Sequence, residues 1–219
     1  MLKFDSSFLK DTIVLCLSTM RRLSMSYDIE KLIDILTIFS KNQQDLDKMR
    51  ISKLLYFIDK NHLQKYGRVV MDDRYHRLSK GPIPSLTLDL LNELFDPEFE
   101  HSVTNKKIDK SYLSEYLEPF RKFRFKLKKE SNFNSLSKSE IEVINYVLTK
   151  YGSLKTEDLV ELSHKDATWL KTKEPNEIDY CLFLEGMPEG KKKIVEGLLA
   201  IDKENEIFSK ILKNDCYTG

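Results

Sequence analysis

Apolar residues recur at helical spacing along much of the chain, and the clearest case begins at Asp45. From there to Tyr66, apolar residues return every 3.6 residues, which predicts an amphipathic helix with one buried face. That face consists of Ile51, Leu54, Leu55, Ile58 and His62. Gly67 should end the helix, because glycine tolerates the left-handed conformation that closes one. One long helix, buried along one face, is therefore expected in this region.

The residues after Gly67 predict a short hairpin and then a proline corner. Two runs, 68–71 and 74–78, flank Asp72 and Asp73, which we expect at the hairpin tip. Proline is tolerated in the first turn of a helix, where its missing N–H has no intrahelical partner. The corner before the next helix is formed by Gly81, Pro82 and Pro84.

Apolar stripes at the same spacing predict further helices. Ser137, with Glu140 three residues later, has the spacing of a capping box at the start of one of them. Predicted helices cover residues 4–24, 29–39, 86–95, 137–151, 156–163 and 189–212, with a short one near 112–117. Helices should therefore dominate the fold.

Residues 123–128 alternate between apolar and basic side chains. A period of two predicts a strand with one buried face and one basic face. The fold class is therefore expected to be mainly α, with a small β-hairpin and one short extra strand. We predict a helical pair at 1–44 packed on the core, a domain at 45–172 with a variable basic segment at 97–135, and a helical extension at 173–219.

Composition excludes several classes of protein. With 41% hydrophobic residues and a net charge of +1, the chain is too apolar for disorder and has no strong overall attraction to nucleic acid or membranes. Cys16, Cys181 and Cys216 are far apart and form no CxxC pair, which argues against a disulfide framework or a zinc site. No apolar run reaches the ~20 residues of a membrane span. A cytoplasmic protein is expected.

The side chains that could carry chemistry are better explained as structural. Asp72, Asp73 and His76 are close in sequence, but adjacent carboxylates in a turn are usually turn formers. His164 lies near Asp166, yet no nucleophile stands at motif spacing and no glycine-rich phosphate loop exists. We therefore predict no catalytic residue, no cofactor and no metal, and thus no enzyme.

The basic segment from Arg121 to Lys129 has three possible uses. Six cations interleave with Phe123 and Phe125, and this combination can bind single-stranded nucleic acid. Strict alternation would turn the aromatic rings away from the charges, however, and charged edge strands also prevent aggregation. Contact with an acidic patch on a protein partner is the third use.

Two stretches together resemble a known family. KLLYFIDKNHLQKYGR from Lys53, followed by KGPIP from Lys80, is similar to the first block of the Panacea domain, also called the SocA-like antitoxin domain. LSKSEIEVINYVLTKYGSLKTEDLVELSHKDATW from Leu136 is similar to its second block. The resemblance covers residues 45–172 and departs at Thr168, where members often carry proline. The structural motif residues are Gly67, Gly81, Pro82, Pro84, His164 and Trp169.

The resemblance implies a helical antitoxin that binds a co-encoded protein toxin and inactivates it without catalysis. Tyrosine and arginine are enriched at interface hot spots, so polar-aromatic residues off the apolar stripe are the expected contacts. These are Tyr56, Lys60, Tyr66, Arg68, Arg74, Tyr75 and Lys80. Two other functions stay open: a nucleic-acid-binding regulator of its operon, and an adaptor that delivers a client to a protease. Self-association through the N-terminal helical pair also stays open.

Overall fold

The computed structural model describes residues 28–42, 44–96, 98–99 and 111–215, with side chains as far as residue 204. The described residues fall into two compact units, one within residues 27–196 and the other including residues 197–215. The helix predicted over 4–24 lies outside the described residues.

Helices dominate the described residues, which confirms the mainly α fold class. The elements in chain order are α1 (Ile29–Lys41), α2 (Lys48–Tyr66), β1 (Tyr75–Leu78), β2 (Gly81–Pro84), α3 (Ser85–Phe95), α4 (Ser111–Tyr116), β3 (Leu117–Arg121), β4 (Arg124–Leu127), α5 (Lys138–Tyr151), α6 (Thr156–His164), α7 (Ala167–Lys171), a 3₁₀ helix (Tyr180–Leu184) and α8 (Glu189–Asp215). None of the described helices is apolar and long enough to cross a bilayer.

Helix α2 is the centre of the unit formed by residues 27–196. The Asp47 carboxylate accepts from the backbone N–H groups of Met49 and Arg50 and so begins the helix. Gly67, with φ 76°, ends it as the sequence predicts. Helices α3, α5 and α6, strand β2 and the 3₁₀ helix all pack on α2. Every residue from 50 to 59 is consequently buried, not only one face.

The first hairpin lies later in the chain than the sequence predicts. Strands β1 and β2 pair antiparallel from Tyr75 opposite Pro84 to Leu78 opposite Gly81, so Ser79 and Lys80 form the turn. Residues 68–71 are a loop, because Oδ1 of the buried Asp59 accepts the N–H groups of residues 70 and 71. The prediction that Asp72 and Asp73 form the hairpin tip is therefore wrong.

The basic segment is one strand of a second hairpin instead of a single extra strand. Strand β4 pairs antiparallel with β3, from Leu117 opposite Leu127 to Arg121 opposite Arg124. Lys122 and Phe123 form the turn, and Phe123 adopts a positive φ of 65°. The predicted alternation therefore fails at its first position, since Phe125 is buried whereas Phe123 is exposed. The partner strand was missed because Glu118 and Pro119 interrupt its apolar pattern.

Candidate functional site

Residues from both family-like stretches meet around the β1–β2 hairpin. Lys53 of α2 is fully buried, and its Nζ donates to the carbonyl of Pro82 at 2.7 Å. Burial lowers the pKa of this ammonium to about 7, because no described acid lies near enough to oppose the desolvation. The burial of Lys53 has no signal in the sequence, since a lysine beside an apolar stripe usually reaches solvent.

Gly81 is the point of closest approach in this cluster. Its φ of 94° is one that L side chains rarely adopt. A Cβ there would lie 2.5 Å from Oγ of Ser163, 2.7 Å from Nζ of Lys53 and 3.2 Å from Cδ2 of His164. The glycine of the proline corner is therefore required both by the backbone conformation and by the space that α2 and α6 leave.

Trp169 closes the same cluster from helix α7. Its Nε1 donates to the carbonyl of Leu78 at 3.2 Å, and its ring stacks on His164 with centroids 4.3 Å apart. The guanidinium of Arg77 lies 4.1 Å from the tryptophan ring centroid. Burial, together with the charges of Lys53 and Arg77, lowers the pKa of His164. We call Lys53, Arg77, Gly81, His164 and Trp169 the motif cluster; its contacts hold the hairpin against α2, α6 and α7.

Two buried carboxylates order the loop between α2 and the first hairpin. Oδ2 of Asp59 accepts from Tyr75 Oη at 2.8 Å, while Asp73 accepts from the backbone N–H groups of Leu86 and Thr87 at the start of α3. Desolvation raises the pKa of each carboxyl to about 6. Within the described ranges, no three His, Cys, Asp or Glu side chains are grouped to hold a metal. Asp73 thus acts as a helix cap in this fold.

Two of the predicted contact residues lie in the core. Tyr56 and Tyr75 are fully buried and pack edge-to-face with ring centroids 5.7 Å apart. Oη of Tyr56 is 2.6 Å from Oγ1 of Thr168, the position where family members often carry proline. Neither tyrosine reaches a partner in this structure, because helix α7 and the 3₁₀ helix cover them. The apolar pattern of one helix does not indicate which of its other residues are covered by distant elements.

The other predicted contact residues do not form one continuous patch. Lys60 pairs with Asp166, the N-cap residue of α7, and is mostly buried. Arg74 and Lys80 are exposed, and neither forms an ion pair with a described residue. Only Tyr66 and Arg68 lie together, at the C-terminal end of α2.

Tyr66 and Arg68 belong to an exposed surface between α2 and α5. Oη of Tyr66 donates to Glu142 at 2.5 Å, and Lys65 pairs with the same carboxylate. Tyr66 is 39% exposed, and Tyr146, one turn further along α5 from Glu142, is 48% exposed. We call Lys65, Tyr66, Arg68, Glu142 and Tyr146 the α2–α5 patch. An open cavity of about 440 Å³ adjoins it, lined by Asn61, Gln64, Lys65, Glu142, Val143, Tyr146 and residues 186–188 and 191.

A buried carboxylate supports the α2–α5 patch from below. Glu140 accepts from Lys31 at 3.0 Å and from Arg68 at 2.8 Å, and it completes the predicted capping box with Ser137. Hydrogen bonds from Arg68, Ser137 and Lys31 outweigh burial and lower the pKa of Glu140 to about 2. The patch therefore rests on an ordered ion-pair network that joins α1, α5 and the loop after α2.

Comparison with known proteins gives a family match. A family model described as antitoxin SocA-like, Panacea domain, matches residues 51–170, which is more than half of the 219 residues. It includes every residue of the motif cluster. No curated protein and no solved structure matches the chain. The limits predicted for the domain (45–172) and for the segments before and after it stay predictions.

Proposed function

Because this chain belongs to the SocA-like antitoxin family, defined by the Panacea domain, we propose that it neutralises a co-encoded protein toxin in the cytoplasm by direct binding. Family membership is the single observation that carries the proposal. The contact is steric, and no bond in the toxin is made or broken. The motif cluster fits this role as scaffold, since its lysine, glycine and tryptophan are all engaged by the chain's own backbone and side chains.

The toxin contact is assigned to the α2–α5 patch. Support comes from its two exposed tyrosines, which flank an open cavity and lie next to charged groups. Aromatic residues beside a concave surface, with a polar rim, are typical of interface hot spots. Arg74 and Lys80 remain proposed contacts at a second, separate place. The proposed contact surface does not include Tyr56 and Tyr75, because both are buried.

Co-expression with the product of the neighbouring gene tests the function. That product alone should stop growth, and the wild-type chain should restore it and co-purify with the product. Removing the exposed rings by Tyr66→Ala together with Tyr146→Ala should abolish the rescue at unchanged protein level. Leu170→Ala is the matched control, since it truncates an exposed side chain on α7, outside the patch. A neighbouring product that is harmless alone, or is toxic but never bound, contradicts the proposal.

The mechanism has its own test. Toxin recovered from the purified complex by denaturation and then refolded should regain full activity, because binding leaves its covalent structure intact. Loss of activity that persists after separation would point to catalysis by this chain. Toxin abundance in cells separates steric neutralisation from delivery to a protease: it stays constant in the first case and falls in the second.

A further inference from the structure

The β3–β4 hairpin exposes two aromatic rings next to its turn. Phe120 is 58% exposed and Phe123 is 48% exposed. The guanidinium of Arg121 lies 5.1 Å from the Phe120 ring centroid, and Nζ of Lys122 lies 5.1 Å from that of Phe123. A left-handed backbone is unusual for a side chain as bulky as that of Phe123. Both rings are therefore partly exposed to solvent, although Nζ of Lys48 also lies 4.6 Å from the Phe123 ring centroid.

Several cations of the hairpin lack an acidic partner. Arg124 pairs with Asp45 at 3.1 Å, and Lys129 pairs with Glu115 at 2.8 Å. The exposed side chains of Arg121, Lys122 and Lys126 form no ion pair with any residue that the structure describes. The whole chain has a net charge of only +1, so this positive charge is a local feature. An anionic ligand at the hairpin would therefore meet three cations within a few residues of the two exposed rings.

The hairpin geometry removes the sequence-based objection to nucleic-acid binding. Strict alternation would put aromatic rings and cations on opposite faces. The pairing of β3 with β4 instead shifts register between Pro119 and Arg121, and the turn places Phe123 outside the strand. Phe125, in β4, is buried, while Phe120 of β3 and Phe123 of the turn stay exposed beside the cations. Rings and charges are therefore available to the same ligand.

We propose that the β3–β4 hairpin binds an unpaired strand of nucleic acid, with Phe120 and Phe123 stacking on bases and Arg121, Lys122 and Lys126 contacting phosphates. Unpaired bases present free faces to an aromatic ring, whereas bases inside a duplex are covered by their neighbours. Single-stranded RNA and single-stranded DNA share this chemistry. An acidic protein surface would bind the cations as well, but it would not explain why two phenyl rings are exposed beside them. This site is distinct from the α2–α5 patch.

Fluorescence anisotropy with the full chain tests the proposal. The probes are a labelled 12-nucleotide oligo(U), the matching oligo(dT) and a duplex of the same length, at salt from 50 to 200 mM. Both single strands should bind, and the duplex should bind at least tenfold more weakly. Phe120→Ala with Phe123→Ala should weaken binding by about tenfold or more, because each stacked base contributes roughly fivefold to a hundredfold in affinity. Replacing both rings with tryptophan should retain binding.

Charge variants provide a matched pair. Arg121→Gln, Lys122→Gln and Lys126→Gln together should reduce the slope of log affinity against log salt by about 2, since each phosphate contact on a single strand contributes about 0.7. Lys138→Gln, Lys155→Gln and Lys173→Gln remove the same charge from exposed positions outside the hairpin and should leave the slope unchanged.

Four results would overturn the proposal: no anisotropy change at 50 mM salt, a duplex bound as tightly as the single strands, unchanged binding by the double alanine variant, or an equal loss in the control triple. Loss of toxin co-purification in the double alanine variant, without any oligonucleotide binding, would overturn the proposal and assign the hairpin to the toxin contact instead. Binding of oligo(U) alone would support the proposal and assign RNA as the source of the strand.

Discussion

Glu140→Gln should destabilise the folded chain strongly at neutral pH and much less in acid. The carboxylate is 2% exposed and pairs with Lys31 and Arg68. Its pKa falls from 4.5 to about 2 on folding. That difference corresponds to about 3 kcal/mol of stability. Glutamine keeps the shape and can still accept from the Ser137 N–H, so the change isolates the charge. Removing one member of a buried ion pair leaves its partners uncompensated.

The pH dependence has a definite sign. Because the folded pKa of Glu140 lies below the unfolded value, its contribution is complete above pH 4.5 and is lost as the pH falls through about 2. The difference in free energy of unfolding between wild type and Glu140→Gln should therefore shrink from about 3 kcal/mol at pH 7 to about 1.5 kcal/mol at pH 3. Other carboxyls titrate equally in both proteins and cancel in the difference.

Urea titrations at the two pH values measure this difference. Trp169 is the only tryptophan and lies in the same unit as Glu140, so its fluorescence reports unfolding of that unit. Glu142→Gln is the matched control, because it makes the same chemical change two residues away in an exposed pair and should have almost no effect on stability. A difference that stays constant between pH 7 and pH 3, or a control as damaging as Glu140→Gln, would refute the reasoning.

Three further substitutions probe the interior. Gly81→Ala should lower the free energy of unfolding by about 2 kcal/mol or more, because the φ of 94° and the short distance to Ser163 both oppose a Cβ. A thermal melt measures this loss. Gly190→Ala is the control, since this glycine lies in a helix with open space around it, and the substitution should be neutral or stabilising. Asp59→Asn should flatten the stability profile between pH 4 and 6: the raised folded pKa, about 6, means that wild-type stability falls as the pH rises through this window. Lys53→Met should flatten the profile above pH 7, where the lowered folded pKa, about 7, makes wild-type stability rise toward pH 10.5. Denaturation at several pH values measures both slopes, and an unchanged slope in either variant contradicts its assignment.

Local sequence patterns were sufficient to predict the helices and the residues at which two of them begin or end. Gly67 ends α2 and Ser137 caps α5, because both effects act within one helical turn. His62 was also interpreted correctly as a core histidine, and its Nδ1 donates to the Arg68 carbonyl at 2.7 Å. Contacts between residues far apart in the chain could not be predicted from such patterns. Nζ of Lys53 donates to a carbonyl 29 positions later, and the Asp59 carboxylate accepts from the N–H groups of a loop.

The two tyrosines of α2 explain why its surface residues could not be chosen from sequence. Tyr56 and Tyr66 both lie off the predicted apolar stripe, yet Tyr56 is in the core and Tyr66 is exposed. The difference comes from elements far away in sequence, since α7 and the 3₁₀ helix cover the first but not the second. A helix packed on every side along residues 50–59 can offer a partner only its end. Within α2, we therefore propose the toxin contact at the C-terminal end, where the exposed Tyr66 donates to Glu142; Arg74 and Lys80, outside this helix, remain proposed contacts at a separate place.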